Sequence, residues 1–358
     1  MPSINAQRTE NDPPPAALFA ADMLRAGTRV YASKAATLLL EEHPESAALF
    51  GNKAFRGWHD HLTQRVGELA ASLSVGSPDR FRRDVLWSVA AFAAREVPTE
   101  AVADSLRLLR RVMDEELPPE AAAQAGAFLD AAIDAAQGPA RPLQRLSIEG
   151  PLGDLPLRYL EIVLEGRRRE AIDLLEAAAN DGVAVADLYE YVLLAVEAEI
   201  GTMWHLGELT VPEEHVATET ARSAMAVLCH AQPPTERHDL TVLVGAIEGD
   251  RHDIGLRAVS DLIEIAGYRA ISLGADVPVR DLVRAVEFFD AEVIILSATM
   301  TVHLPAVRDA IRAIRDGIGE RSMRIFVGGE AFSHEPGLAQ RLGADGYAAT
   351  PRDAVAML

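Results

Sequence analysis

The chain has 358 residues, enough for two or three domains, and its 49% hydrophobic and 25% charged residues are typical of a globular protein. Its formal net charge of -20 argues against sequence-independent nucleic-acid binding, which requires clustered positive charge. The single cysteine, Cys229, excludes an intrachain disulfide and any multi-cysteine metal site. Neither a secretory signal nor an apolar run of membrane-spanning length is recognisable, so we expect a cytoplasmic protein.

The N-terminal part of the chain is expected to be helical after a short lead-in. Residues 1–15 are polar and proline-rich, which predicts a disordered segment. From 16 to 137, apolar residues recur at helical spacing and predict an all-helical domain, with Trp87 in its core. The proline- and glycine-rich stretch 138–156 then reads as a linker.

A second helical unit is predicted over residues 157–230. Breaks near Gly166, Gly182 and Gly207 divide it into four helices, which favours a small antiparallel bundle. Residues 231–239 form a second linker.

The hydrophobic period changes in the last part of the chain, 240–358. Short runs rich in β-branched residues at 240–247, 291–299 and 323–329 alternate with helical stretches. This alternation predicts a Rossmann-like α/β domain with a doubly wound parallel sheet. Ligands bind such sheets beyond the carboxyl ends of the strands.

Polar residues and glycines follow each of the three predicted strands. They are Asp250, His252 and Gly255 after the first, Ser297 and Thr299 after the second, and Gly328 and Gly329 after the third. A histidine in such a loop can offer one ring nitrogen to a metal while an acid two residues earlier holds the other. Ser297 is placed to extend this relay, and the glycines allow close backbone approach to a ligand. A lone histidine would be an ordinary loop residue, whereas the three sets together predict a ligand site.

The three sets resemble the cobalamin-binding signature Asp-x-His-x-x-Gly, Ser-x-Leu/Thr and Gly-Gly. Methionine synthase, corrinoid methyltransferases, mutases and cobalamin photoreceptors share this signature. The resemblance implies that His252 replaces the dimethylbenzimidazole of the cofactor as the lower axial cobalt ligand. It also implies that the nucleotide tail runs between Ser297, Thr299 and the two glycines. Many members have leucine where Thr299 stands, which leaves the packing of the tail open.

The helical unit before this domain carries a second pattern, Trp204-His205 followed by Glu214-His215. It resembles the Trp-x9-Glu-His signature of the adenosylcobalamin photoreceptors, whose helical cap covers the upper face of the cofactor. The resemblance implies an indole above the adenosyl group, Glu214 and His215 at the ribose hydroxyls, and His205 as an upper cobalt ligand after light. Alternatively, Trp204 fills a core and the acidic pair before His215 begins a helix.

The N-terminal helices are similar to haem-free globin-like sensor domains. Such a domain joined to a photoreceptor-type cobalamin module resembles the photocobilins, which implies biliverdin as a second chromophore near the junction. Trp58, His59 and His61 offer contacts to a tetrapyrrole. That domain has no cysteine, so attachment would be non-covalent, and Cys229 is expected to be a buried small residue.

These interpretations predict a light-responsive signalling protein, not an enzyme, that binds adenosylcobalamin with biliverdin as a second chromophore. Its output is expected to run through a light-dependent homo-oligomer or a protein effector, without direct binding to nucleic acid or membrane. The main alternative is a corrinoid shuttle protein of a methyltransferase system, which would use the same His252 but needs a cap that opens. A mutase subunit and a simple cobalamin store are further alternatives.

Overall fold

The chain forms two compact units, residues 1–142 and 143–358. The computed structural model describes residues 13–138, 143, 145–233, 235–319, 322–335 and 337–358. The predicted lead-in therefore lies outside the described residues apart from its last three, and the first helix begins at Pro15. No helix in these ranges combines the length and the apolar content that crossing a bilayer requires.

Five α-helices make up the described part of the first unit. They are α1 (Pro15–Glu42), α2 (Ala54–Val75), α3 (Pro78–Ala94), α4 (Thr99–Glu116) and α5 (Pro119–Ala136). Helices α1, α3 and α5 have proline in the first turn, where the missing N–H would be unsatisfied in any residue. Helix α4 is strongly amphipathic, and Val102, Leu106 and Leu109 on its apolar stripe are fully buried. The helical prediction for this region agrees with the structure, while the likeness to globins stays a prediction.

Trp87 does not lie in the core of this unit, so the prediction for it is wrong. Its side chain is 42% exposed, whereas Val85 and Val89 on the same helix are buried. Trp87 is two residues from each of them, and two residues correspond to about 200° of rotation around a helix. The indole therefore points away from the side of α3 that packs inward.

Trp58, in contrast, belongs to the core. It is fully buried, and its indole N–H donates to the carbonyl oxygen of Ser46 at 3.0 Å. Phe50 and Phe92 pack against its ring, and the imidazole of His61 packs edge-on against it. The expected contact of Trp58 with a tetrapyrrole is therefore wrong, because its polar atom and its faces are already engaged within the unit.

The second unit begins with a bundle of four helical rods. They comprise α6 (Leu155–Leu164), α7 (Arg168–Asn180), α8 (Val185–Leu188) continued through a π-helical turn (Tyr189–Leu194) into α9 (Ala195–Leu206), and α10 (Val211–His230). The three predicted breaks coincide with Gly166, Gly182 and Gly207, whose φ angles are 70°, 98° and 80°. Glycine adopts this left-handed region without the strain that a Cβ causes, so each rod ends where the sequence indicates.

A parallel five-stranded sheet forms the rest of the second unit, in the order β2-β1-β3-β4-β5. Its strands are β1 (Thr241–Ile247), β2 (Arg269–Val277), β3 (Val293–Ser297), β4 (Arg324–Gly328) and β5 (Gly346–Ala348). Its helices are α11 (Ile254–Ile265), α12 (Val279–Phe289), α13 (Leu304–Ile318), α14 (Gly337–Arg341) and α15 (Pro351–Ala356). This agrees with the predicted Rossmann-like α/β fold, although β2 and β5 escaped the prediction.

Buried hydrogen bonds join the helical bundle to the α/β domain. The hydroxyl oxygen of Tyr189, in the π-helical turn, lies 2.9 Å from Asp261 Oδ2 of α11 and 2.9 Å from the carbonyl oxygen of Met225, and its one hydrogen serves one of these two acceptors at a time. On the side nearer the strand ends, Arg222 Nη2 of α10 binds Asp253 Oδ1 at 2.6 Å. These contacts hold the bundle against α11, beside the carboxyl edge of the sheet.

Cys229, near the end of α10, is half-buried, so the prediction of a buried small residue is only partly met. Burial, with the negative charges of Asp261 and Glu264, raises the pKa of its thiol to about 11. The thiol therefore stays protonated at neutral pH and is a poor nucleophile.

Candidate functional site

The loop after β1 holds the predicted acid–histidine pair. Asp250 is completely buried. Its Oδ1 accepts from the backbone N–H of His252 at 3.0 Å and lies 2.7 Å from His252 Nδ1. A carboxylate only accepts, so Nδ1 of His252 carries a hydrogen, and in the neutral imidazole Nε2 is the nitrogen that keeps its lone pair. The imidazole, 59% exposed, therefore presents its ligating nitrogen away from the protein.

The hydrogen bonds around Asp250 also set the protonation of the pair. Burial alone would raise the pKa of Asp250, but hydrogen bonds from the side chain of His252 and from two backbone N–H groups, together with the nearby ring of His303, hold it well below its usual range. The hydrogen bond to Asp250 raises the pKa of His252, although burial opposes this. Asp250 is thus a permanent anion that orients the imidazole and increases its basicity.

The relay beyond Asp250 does not use Ser297 as predicted. The second oxygen, Oδ2, accepts from the backbone N–H of Thr299 at 2.6 Å and lies 3.5 Å from Nδ1 of His303. Ser297 ends β3, paired in register with Ala246 and Gly328. Ser297 therefore lies at the carboxyl end of the strand, as the sequence predicts. The groups next to Asp250 Oδ2, however, are Thr299 and His303.

The two glycines at the end of β4, Gly328 and Gly329, are required by their surroundings. Gly329 has a φ of 94°, and a Cβ there would lie 2.4 Å from the carbonyl oxygen of Ala298. A Cβ on Gly328 would lie 3.1 Å from the carbonyl oxygen of Ala348. Any side chain at Gly329 would displace the neighbouring loop, so these residues keep the backbone close to the strand ends.

A cavity of about 670 Å³ lies between the helical bundle and the carboxyl edge of the sheet. From the α/β domain it is lined by His252, Gly255, Ser297, Thr299, Gly328 and Gly329, and from the bundle by Trp204, Glu214 and His215. Asp250 lies buried behind His252. His205 is not among the lining residues, because it follows Trp204 in the last turn of α9 and is rotated about 100° from it. The structure thus brings together nearly all of the residues that the two sequence patterns singled out.

Three polar residues of this wall were not predicted from the sequence. Glu197 of α9 and Thr218 and Arg222 of α10 also line the cavity. Helical spacing in the sequence could have indicated them. On α9, Glu197 precedes Trp204 by two turns, and on α10, Glu214, Thr218 and Arg222 follow one another at intervals of four residues. Each set therefore lies on the same face as a residue that had been identified.

The cavity wall contains a half-buried carboxyl group, that of Glu197. Burial raises the pKa of Glu197 to about 7, and the charge of Glu214 adds to this, while a hydrogen bond from Thr218 opposes it. Thr218 Oγ1 lies 3.0 Å from Glu197 Oε2 and 3.1 Å from Glu214 Oε1. Glu214 Oε2 lies in turn 2.5 Å from Nδ1 of His215.

Comparison with known proteins identifies the family of the two domains that enclose this cavity. Two profiles, each described as a B12 binding domain, match residues 157–228 and 240–356, the helical bundle and the α/β domain. Dimethylamine corrinoid protein 2 of Methanosarcina acetivorans is 33% identical over 203 residues, 56% of this chain and 93% of the relative. Dimethylamine corrinoid protein 3 of the same organism is 30% identical over 210 residues, 58% of this chain and 95% of the relative.

A solved structure shares the fold. The monomethylamine corrinoid protein of Methanosarcina barkeri superposes with a TM-score of 0.51 at 21% identity, covering 57% of this chain and 96% of that one.

The residues that line the cavity fit a cobalt corrinoid. The corrin ring supplies the equatorial nitrogens, so the protein needs to add one axial donor, and His252 Nε2 is a neutral imidazole nitrogen held by a buried carboxylate. Gly328 and Gly329 line the cavity beside the strand ends, where the nucleotide tail would lie. The chain belongs to the family of B12-binding corrinoid proteins and binds cobalamin.

Proposed function

We propose that the chain is a cobalamin-based light sensor that binds adenosylcobalamin with His252 as the lower cobalt ligand. The observation that supports it is the wall opposite the strand ends, where Trp204, Glu214 and His215 line the cavity that His252 enters. The same residues match the cap pattern of the adenosylcobalamin photoreceptors in type and spacing. Glu214 of the bundle is close enough for its charge to raise the pKa of His252 in the α/β domain. This proximity supports a single ligand that contacts both walls of the cavity.

The side chains of the cap would bind and shield the upper ligand. Trp204 presents an indole that is 48% exposed, a flat apolar surface for an adenine or ribose group to pack on. The carboxylate of Glu214 and the imidazole of His215, 71% exposed, are hydrogen-bonding groups for ribose hydroxyls. When bound, adenosylcobalamin supplies a Co–C bond that visible light breaks.

The signal would leave through the helix that carries Trp204. Helix α9 ends at Gly207, whose left-handed backbone makes the end of the helix adaptable. His205 lies in this last turn, and its movement toward the cavity would give cobalt a second imidazole once the adenosyl group has left. Rearrangement of this turn changes the surface of the bundle, which we propose alters a homo-oligomer or the binding of a protein effector.

A corrinoid carrier of a methyltransferase system is the second candidate, and the named relatives favour it over the light sensor. Both Methanosarcina acetivorans relatives are dimethylamine corrinoid proteins. A carrier uses the same His252 and requires a bundle that moves aside for the methyl donor. The polar and aromatic wall of Trp204, Glu214 and His215 favours the sensor, because a methyl group offers nothing for hydrogen-bonding residues to bind. In either role the chain itself is not the catalyst.

Biliverdin as a second chromophore is a separate part of the proposal. It is supported by the resemblance to photocobilins and by aromatic residues of the first unit with exposed surface, Phe55 at 47% and Trp87 at 42%. His59 stacks on Phe55 and offers an imidazole beside it. Expression with biliverdin should give a red-absorbing protein, and a protein with the absorption of cobalamin alone would refute this part.

The experiment that tests the sensor loads the full chain with adenosylcobalamin in darkness and then applies green light. We expect a persistent spectral change together with a shift in size-exclusion elution. His205→Ala should alter the illuminated spectrum, whereas His230→Ala, at the exposed end of α10, should not. An illuminated spectrum that is the same in all three proteins, with no change in elution, would contradict the sensor and favour the carrier.

A further inference from the structure

Four side chains form a continuous hydrogen-bonded series in the wall of the cavity. The series runs from the half-buried Glu197 through Thr218 and Glu214 to the exposed His215, with separations of 3.0, 3.1 and 2.5 Å. Glu197 belongs to α9 and the other three residues to α10. The series therefore joins the two helices that carry the cap residues.

Counting hydrogens shows that this series holds an additional proton. The hydroxyl of Thr218 has one hydrogen, yet its oxygen lies within hydrogen-bonding distance of a carboxyl oxygen of both Glu197 and Glu214. If both carboxyl groups were ionised, one of them would face the lone pairs of Thr218 at about 3 Å without a hydrogen between them. One carboxyl group must therefore carry a proton and donate it to Thr218.

The surrounding charges place that proton on Glu197. Burial is the main cause of its raised pKa, whereas Glu214 has the imidazole of His215 on its other oxygen. The positive charge of Arg222 lowers the pKa of Glu197, but its guanidinium is bound to Asp253 at 2.6 Å.

A further titratable neighbour of Glu197, Tyr159, does not provide a positive charge. Tyr159 of α6 faces Glu197, and burial together with the charge of Glu197 raises the pKa of its hydroxyl well above the usual range. The phenol therefore stays neutral, and the neutral form of Glu197 is the one that its surroundings favour.

We propose that Glu197 is a positioning residue that, as a neutral acid, donates to Thr218 and thereby fixes the Glu214 carboxylate toward the upper side of the bound corrinoid. Glu197 donates its acid hydrogen to Oγ1 of Thr218. The hydroxyl hydrogen of Thr218 is then donated to Glu214 Oε1. Glu214 is then held on one oxygen by Thr218 and on the other by His215. This inference rests on the proposed function, because it requires that the corrinoid occupy this cavity.

The proposal has a consequence for pH that a purely structural role lacks. A bound corrinoid excludes water from Glu197 and Glu214, which further favours the neutral acid. Binding is therefore linked to proton uptake wherever free Glu197 is ionised, above about pH 7. Affinity should fall as pH rises through this range.

The test measures the Kd of adenosylcobalamin in darkness between about pH 7 and pH 9, the range above the free Glu197 pKa. Wild-type affinity should fall relative to Glu197→Gln by up to about tenfold per pH unit, because one proton is linked to binding. Glutamine keeps the shape and the donor of the neutral acid, so this variant should bind at pH 9 at least as tightly as wild type. Glu161→Gln, on the exposed surface of α6, is the matched control and should keep the wild-type profile.

Two results would contradict the inference in different ways. Parallel pH profiles for wild type and Glu197→Gln, with binding that His252→Ala abolishes, would overturn the role of Glu197 alone. Binding that His252→Ala leaves unchanged would overturn the proposed site, and this inference with it.

Discussion

Substitution of Gly255, the third member of the Asp-x-His-x-x-Gly pattern, should affect the stability of the fold and the affinity for the ligand differently. It is the second residue of α11, and a Cβ built there meets no protein atom within 4 Å. Alanine in a helix is favoured over glycine by up to about 1 kcal/mol. Gly255→Ala should therefore leave the free energy of unfolding unchanged or raise it by about 0.5 to 1 kcal/mol.

The effect of the same substitution on cobalamin binding should be the opposite. Gly255 lines the cavity, so the added methyl group enters the volume that the corrinoid would fill. Overpacking of a well-fitted site typically costs about 1–3 kcal/mol, which corresponds to a loss of affinity of about fivefold to 150-fold. The assays are urea unfolding of the cobalamin-free protein and titration with adenosylcobalamin in darkness.

Gly337→Ala is the control for this prediction. A Cβ there also meets nothing within 4 Å, but Gly337 begins α14 and does not line the cavity. The two variants should have similar stability and differ in affinity. Equal affinity for Gly255→Ala, Gly337→Ala and wild type would refute the placement of the corrinoid against this helix.

Gly329→Ala should lower stability by about 2 kcal/mol or more and weaken cobalamin binding. The φ of 94° at Gly329 and the nearby Ala298 carbonyl oxygen both oppose a Cβ. A urea unfolding transition like that of wild type would contradict this prediction. Asp250→Asn keeps one acceptor oxygen, so donors that now meet the carboxylate are left unsatisfied in a buried site. We expect a loss of about 2–5 kcal/mol by urea unfolding and of 10- to 100-fold in cobalamin affinity, and an unaltered affinity would exclude the role of Asp250 in orienting His252. Tyr189→Phe removes a buried hydroxyl from Asp261 and should cost about 1–3 kcal/mol, whereas Tyr191→Phe, at a less buried position, should change stability by less than about 0.5 kcal/mol. Equal stabilities of these two variants would argue against Tyr189 as a buried link between the bundle and α11.

The sequence predicted most of the site because strand ends and helical spacing are local properties. Strands β1 and β3 are buried and therefore appear as continuous apolar runs, and the carboxyl ends of parallel strands meet at one edge. Strand β2 lies at the edge of the sheet and is half-exposed along its length, so its mixed composition has no clear period. Strand β5 has three residues, too few for any pattern.

The parts of the site that the sequence did not predict depend on contacts between distant residues. His303 reaches Asp250 from a short 3₁₀ turn, 53 positions along the chain, and no local pattern indicates that contact. Glu197 has the spacing of a solvated helical acid, and the contact of its carboxyl group with Thr218 of α10 depends on how α9 packs beside α10. Trp87 was misplaced for the related reason that a large apolar residue indicates a core only when its face of the helix packs inward.

The most direct test of the central claim is the electron paramagnetic resonance spectrum of the protein loaded with cobalamin and reduced to Co(II), with histidine labelled by ¹⁵N. The axial nitrogen couples to the unpaired electron of the cobalt, so ¹⁴N splits each cobalt line into a triplet and ¹⁵N splits it into a doublet. If His252 is the lower ligand, labelled protein should give doublets, and His252→Ala should lose them. Triplets that persist in labelled protein would mean that the dimethylbenzimidazole of the cofactor still occupies the cobalt, which would contradict the assignment of His252.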